Sequence, residues 1–279
     1  MSNASLSHVS SSANHETATD ASSAPRLSVI IPTLNEAKNL PHVFARIPAS
    51  VHEVIIVDGR SADDTIAVAR ELRPDVRIVT QTRRGKGNAL ACGFEVATGD
   101  IIAMIDADGS ADPGEIPRFV QALLDGADFA KGSRYGTGAG SSDITPLRSL
   151  GNKVLSGMVN VLYRTRYSDL CYGYNVFWRR CLPAFGLDAG TPGQDADKKL
   201  WGDGFEVETL INIRVAAAGL VIAEVPSFEH SRIHGTSNLN TFADGRRVLR
   251  TILAERRRAR TKAREDGAFA PGVAEGAAR

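Results

Sequence analysis

The sequence predicts an α/β layered domain with a mostly parallel central sheet flanked by helices. Three observations predict it. Short apolar runs of strand length alternate with helical patterns, the connections between them are brief and polar, and the runs are continuously apolar, as strands buried on both faces are. The composition agrees. Of 279 residues, 43% are apolar and 23% charged, the mix of a soluble chain long enough to bury a sizeable core.

Taken in order, LSVIIPTLNE from Leu27 is an apolar run stopped at Pro32 and reads as a buried strand and loop. Residues 39–47 fit a helix. Residues 54–57 form a second strand, followed by a polar turn and a helix over 63–72 that Asp63 or Asp64 can cap. VRIVTQ is a third strand, 86–97 a helix, DIIAMIDADG a fourth strand ending in acids, 113–124 a helix, and ADFAKGSRY another strand. In such sheets ligands collect beyond the carboxyl ends of the strands, where Asp58 and the pair Asp106 and Asp108 fall. After Tyr135 the pattern changes. GTGAGSSD is a Gly/Ser loop, 146–163 a helix carrying Arg148 and Lys153, and an irregular stretch runs to Gly204. A helix over 205–218, a strand over 220–225 and the polar loop HSRIHGTSN complete the pattern. There is no internal repeat.

Three regions follow: 1–26, 27–240 and 241–279. The first is rich in Ser, Ala, Asn and Thr without an apolar core or basic start, so it reads as a disordered leader and not a signal peptide. Cys92, Cys171 and Cys181 are odd in number and far apart, which points to a reducing, cytoplasmic setting. No run approaches the ~18 apolar residues of a membrane span, so work on a membrane would be done from its cytoplasmic surface. The last region carries the charge. Between Asp244 and Arg264 lie nine Lys/Arg against Asp244 and Glu255, which makes the segment +7 and, with a net +1, the remainder −6. Phe242, Leu249, Ile252 and Leu253 fall near helical spacing among Arg246, Arg247, Arg250 and Arg257. That is the pattern of an amphipathic helix on anionic lipid, or of one packed on the body with a solvated basic face. Nucleic acid is a poor partner, with 6% aromatics and no reading motif.

IIAMIDADGS is the strongest chemical signal. An apolar strand delivers Asp106 and Asp108 to one loop, and paired carboxylates suit Mg²⁺ or Mn²⁺, which keeps few protein ligands and completes its shell with water and phosphate. A turn or cap is the plainer reading. A calcium loop is excluded because Pro117 stands where a Glu ligand is needed. IIPTLNE places Asn35 and Glu36 just past the first strand, and VDGRSADDT places Asp58 at the end of the second. These polar groups can hydrogen-bond a base and ribose, while Asn35 and Asp63 can equally just cap the following helices. In Arg84-Gly-Lys-Gly-Asn88, Lys86 opens a helix where backbone N–H groups and a cation can meet a phosphate. The spacing is not that of a P-loop.

In this order and spacing, IIPTLNE, IVDGRSADDT, RRGKGNAL, IDADGS, GSRY, the 148–152 stretch, DLCYGYNVF and EVPSF-EHSR-IHGTSN resemble the family 2 glycosyltransferases of GT-A fold. Within them the likeness is to the dolichol- or polyprenyl-phosphate sugar transferases, over roughly 27–253. The resemblance implies that Pro32, Asn35, Glu36, Asp58 and Lys86 line a nucleotide-sugar pocket with Asp106, and that Asp108, with Asp106, holds the metal. It implies that Arg134 approaches the donor diphosphate or acceptor phosphate, and that Arg148, Arg232 and His234 bind the acceptor's anionic groups. The chain departs from the family at Ser110, where Gln is frequent, and at Gly235-Thr-Ser-Asn238, where Gly-Glu-Ser-Lys is common.

The reaction this implies is inverting transfer of a hexose from a UDP- or GDP-sugar to a polyprenyl phosphate at a membrane face. The alternatives are the same donor chemistry on a hydroxyl of a glycan or small metabolite, or a non-catalytic nucleotide-sugar binding protein. A hydroxyl needs a general base, for which Asp203 and Glu206 in WGDGFEVE are the candidates; the plainer reading makes both acids of a helix start. A nucleotidyltransferase is disfavoured, since PTLNEAKN lacks the Gly-rich, Arg-containing loop of that class.

Overall fold

A computed structural model describes residues 24–268 except 197, 199 and 236–240, so most of the 1–26 leader and the end of the 241–279 region lie outside the described residues. The α/β expectation holds. Strands β1 (Leu27–Thr33), β2 (Glu53–Asp58), β3 (Arg77–Thr80), β4 (Ile101–Met104), β5 (Phe129–Ser133), β7 (Asn175–Trp178) and β8 (Ile222–Pro226) form one sheet in the order β3-β2-β1-β4-β7-β5-β8. A two-stranded parallel ribbon joins β6 (Gly140–Ser141) to β9 (Phe228–Glu229). All pairings in the large sheet are parallel except those of β7, which runs antiparallel to both β4 and β5. Strand β7 falls inside the stretch expected to be irregular.

The helices are α1 (Leu40–Phe44), α2 (Thr65–Leu72), α3 (Lys86–Val96), α4 (Ile116–Leu124), α5 (Pro146–Tyr163), α6 (Leu182–Phe185), α7 (Val207–Ala217) and α8 (Thr241–Ala268). They cover both faces of the sheet, which is why its strands read as unbroken apolar runs. Val29 and Ile31 of β1 point into a core with Leu40, Ile116 and Phe119. Ile30 between them points the other way, to a core with Leu90, Phe94, Val207 and Ile211. The strand period of two splits one run between two cores.

A third cluster joins Val159 of α5, Ile213 of α7 and Ile252 of α8 with Tyr167 and Leu170. Helix α8 is fastened there by paired Arg214–Glu255 bonds of 2.9 and 3.0 Å and by Arg256 donating to the Leu162 carbonyl. Of the two readings of the basic helix, the described side chains therefore support packing on the body: Ile252, expected on its lipid face, is fully buried. Phe242 lies outside the residues whose side chains are described.

The register sets the site. Thr33 pairs with Asp58, so β1 and β2 end level, and β4 stops at Met104, just short of Asp106. All these polar groups reach the same carboxyl edge, which is where this topology leaves a crevice.

Candidate active site

A cavity of about 430 Å³ opens at that edge. Its floor is the turn after β4, where Asp108 Oδ1 accepts from the Ser110 amide at 2.9 Å and fixes the loop. Gly109 has φ +77°, a left-handed turn free of strain only for glycine, and Ile233 lies directly on it.

Lys86 enters from the first turn of α3 and places its ammonium between Asp106 (2.5 Å) and Glu208 of α7 (2.6 Å). Burial pushes the Lys86 pKa down, but the two carboxylates outweigh it and hold the ammonium protonated well above the ordinary lysine range. Gly85 and Gly87 let this turn approach closely: the Gly87 amide donates to the Asp203 carbonyl at 2.8 Å, and a Cβ at Gly87 would run into the Gly202 carbonyl.

The opposite wall comes from the segment after β9. Arg232 bonds Asp108 at 2.9 Å and Glu36 at 3.0 Å, joining the turn after β4 to the loop after β1. Backbone bonds from His230 to the Ser110 carbonyl and from Ile233 to the Asp108 carbonyl lay this segment over the acidic turn. Arg134 stands deeper. Its guanidinium makes a fork to Asp169 (2.7 and 2.9 Å) and also bonds Glu229 at 3.0 Å. Burial lowers the pKa of Arg134, and the two carboxylates more than reverse it. Burial raises that of Asp169, and Arg134 overrides it, holding the carboxyl below its usual range.

Away from the acids the lining turns apolar, with Ile144, Leu147 and Leu155 from α5 and the loop before it, Phe205, and Val248 of α8, interspersed with Arg148 and Arg247. The cavity thus has a charged floor and an apolar, cationic mouth.

Of the residues singled out from sequence, Lys86, Asp106, Asp108, Arg134, Arg148, Arg232 and Glu206 share this cavity. Pro32, Asn35, Glu36 and Asp58 do not line it; they sit beside it at the ends of β1 and β2. Asn35, at φ +58°, accepts from the Ala62 amide at 2.7 Å and ties the two loops together, while Asp58 accepts from the amides of Arg60 and Ser61. His234 is also outside the lining. It is anchored through its backbone, whose amide donates to Asn39 Oδ1 at 2.9 Å, and its ring lies 5.8 Å from that of His42. Asp203 is the buried partner of Arg83, at 2.9 and 3.0 Å, and is not among the residues that line the cavity. Glu208, Asp169 and Glu229 belong to the cavity or its support and were not singled out as site residues, although they lie in the quoted runs WGDGFEVE, DLCYGYNVF and EHSR; Arg247 was noted only as part of the basic helix.

The acids fit a hard divalent cation. Asp106 and Asp108 supply oxygen donors on one loop, and no cluster of three or more potential ligands occurs among the described residues. Two carboxylates on one loop suit an ion that completes its shell with water and a diphosphate.

Comparison with known proteins gives consistent matches. The family model described as glycosyl transferase family 2 matches residues 28–182. An uncharacterized glycosyltransferase of Mycobacterium tuberculosis is 35% identical over 214 residues, 77% of this chain and 89% of that protein. Polyprenol monophosphomannose synthase of Mycolicibacterium smegmatis is 34% identical over 229 residues, covering 77% and 81%. Among solved structures, glucosyl-3-phosphoglycerate synthase of M. tuberculosis with Mn²⁺, UDP-glucose and phosphoglyceric acid superposes with a TM-score of 0.63, covering 83% of this chain and 80% of that one. At 23% identity this likeness establishes the fold.

Proposed function

We propose, on the premise that the chain belongs to glycosyl transferase family 2 and is a glycosyltransferase, that it moves a hexose with inversion from a UDP- or GDP-sugar to a polyprenyl phosphate. One observation carries the choice of acceptor. Every carboxylate lining the cavity among the described residues has a cationic partner: Asp106 and Glu208 share Lys86, Asp108 has Arg232, Asp143 has Arg148, Glu229 has Arg134, and Glu206 lies 3.6 Å from Arg247. A hydroxyl acceptor needs a base to take its proton. A phosphate monoester is already ionised and needs cations to hold it in line, which this lining has in Arg148, Arg232 and Arg247. The M. smegmatis relative, named for a polyprenol product, supports the same reading.

In the reaction, an oxygen of the acceptor phosphate attacks the hexose anomeric carbon as the bond from that carbon to the donor diphosphate breaks, and the electron pair leaves with the nucleoside diphosphate. Lys86, held cationic, orients Asp106 beside the donor sugar. Arg232 exchanges a carboxylate contact for a phosphate, and Arg134 with Asp169 keeps the wall rigid. Pro32, Asn35, Glu36 and Asp58 shape the adjoining nucleotide pocket, with His234 on the segment after β9 that carries Arg232. Mg²⁺ or Mn²⁺ on Asp106 and Asp108, when bound, neutralises charge on the diphosphate.

The test is transfer of labelled hexose from UDP- and GDP-sugars to a polyprenyl phosphate, with Glu206→Gln alongside. The expected result is a phosphate-linked product and a loss in the variant well short of the ~10²–10⁴-fold that removal of a general base costs. Product only on a glycan or metabolite hydroxyl, with a loss of that full size, would move the assignment to a hydroxyl acceptor.

A further inference from the structure

Helix α5 presents two unlike faces. Asn152, Ser156 and Val159 are buried against the body, while Leu147, Leu150, Val154 and Val161 stand 55%, 61%, 59% and 81% exposed. Their spacing of three, four and seven residues puts all four on one stripe. Exposed apolar residues scattered singly are ordinary, but an aligned row on one helix marks a surface that meets something apolar.

What it meets is indicated by the charge around it. From Pro146 to Tyr167 the chain contains Arg148, Lys153, Arg164 and Arg166 and no Asp or Glu. The exposed side of α8 repeats the combination, with Leu253 between Arg250 and Arg257 and Arg246 one turn before. A third piece, Trp201 and Phe205, is also about half exposed. Leu147 of α5, Phe205 and Arg247 of α8 line the same cavity, so these elements meet at its mouth.

We propose that the exposed stripe of α5, with Trp201 and Phe205, is a membrane-docking surface that seats the cavity mouth on an anionic lipid bilayer. The inference extends the acceptor reading above and rests on it for why a cavity should open at a bilayer. It reassigns the lipid contact expected of α8. Ile252 of α8 is taken up by the body, so α5 supplies most of the inserting side chains and α8 its arginines with Leu253. Apolar side chains enter the headgroup boundary, cations gather acidic lipid, and the affinity follows both.

The experiment is co-sedimentation of the full chain with vesicles of phosphatidylcholine, with and without phosphatidylglycerol, for the wild type and for Leu150→Glu/Val154→Glu/Val161→Glu. None of these three lines the cavity. Nucleotide-dependent thermal shift and circular dichroism report whether the variant keeps its fold and donor site. The expected result is wild-type binding that requires phosphatidylglycerol, weakens with salt as screening shortens from ~10 Å at 0.1 M to ~3 Å at 1 M, and falls by about tenfold or more in the variant. Undiminished vesicle binding by a folded variant would overturn the proposal. So would a wild type that ignores vesicles, including one that forms a dimer which the variant dissociates, since the stripe would then be a contact between copies. A water-soluble short-chain polyprenyl phosphate separates this outcome from the acceptor reading: transfer to it without vesicle binding defeats only the docking surface, and vesicle binding without transfer defeats only the acceptor.

Discussion

Asp169 and Arg134 lie 35 residues apart in sequence, yet they form the most buried charge pair of the cavity wall. Breaking such a pair by removing one partner leaves an uncompensated charge and costs about 3–5 kcal/mol. Asp169→Asn is therefore expected to lose stability by that order at pH 7, read from urea unfolding. Because Arg134 depresses the Asp169 pKa, the stability from this pair is present above the unfolded carboxyl value of ~3.9 and is lost as pH falls through the folded value. The gap between wild type and variant should stay constant from pH 7 to about 4 and narrow only below that. Narrowing already by pH 5 would mean that the pair is not held as described. The same pair illustrates what sequence could reveal. Asp106, Asp108 and Lys86 were legible because each sits at the end of an apolar strand or the start of a helix, where position implies exposure to a ligand. Asp169, Glu208 and Glu229 were not, since each takes its meaning from a cation supplied by a distant element.

At the level of elements, the first turn of α3 depends on its glycines. Gly87→Ala would push the helix start away from the 202–204 loop and Lys86 from its carboxylates, at a cost of about 1–3 kcal/mol from overpacking. Gly157→Ala, mid-helix in α5 with open space around it, should instead gain roughly 0.5–1 kcal/mol. Thermal unfolding of both variants checks the contrast, and equal effects would remove the close approach as an explanation. The parallel strands β1–β4 could be read because each is an apolar run followed by a helical pattern. Strand β7 could not: its four residues follow the Gly- and Tyr-rich DLCYGY, and an antiparallel strand inserted between β4 and β5 is a decision of the whole sheet. The place of Asp203 was hidden for a similar reason. An acid before a helix looks the same in sequence whether it faces a cavity or a buried arginine such as Arg83.

Over the whole molecule, the sheet edge supplies the acids, the wall of α5, α7 and α8 supplies the mouth, and the segment after β9 closes one side through Arg232. The basic character of the chain's end was plain from composition, but its direction was not. Helical spacing shows that α8 has an apolar side, and only the third core shows that the body already covers it. No described helix is long and apolar enough to cross a membrane. The proposed chemistry depends on Asp106 and Asp108 binding a nucleotide-sugar through a divalent cation. A thermal-shift panel of UDP, GDP and their sugars, with and without Mn²⁺, tests it most directly. A ligand at about 100 times its Kd stabilises a fold by ~2.7 kcal/mol. Stabilisation by one nucleotide family is expected, dependent on the metal and abolished in a folded Asp108→Ala variant; a well-folded chain that no nucleotide stabilises would rule out this donor site and leave a scaffold without donor chemistry.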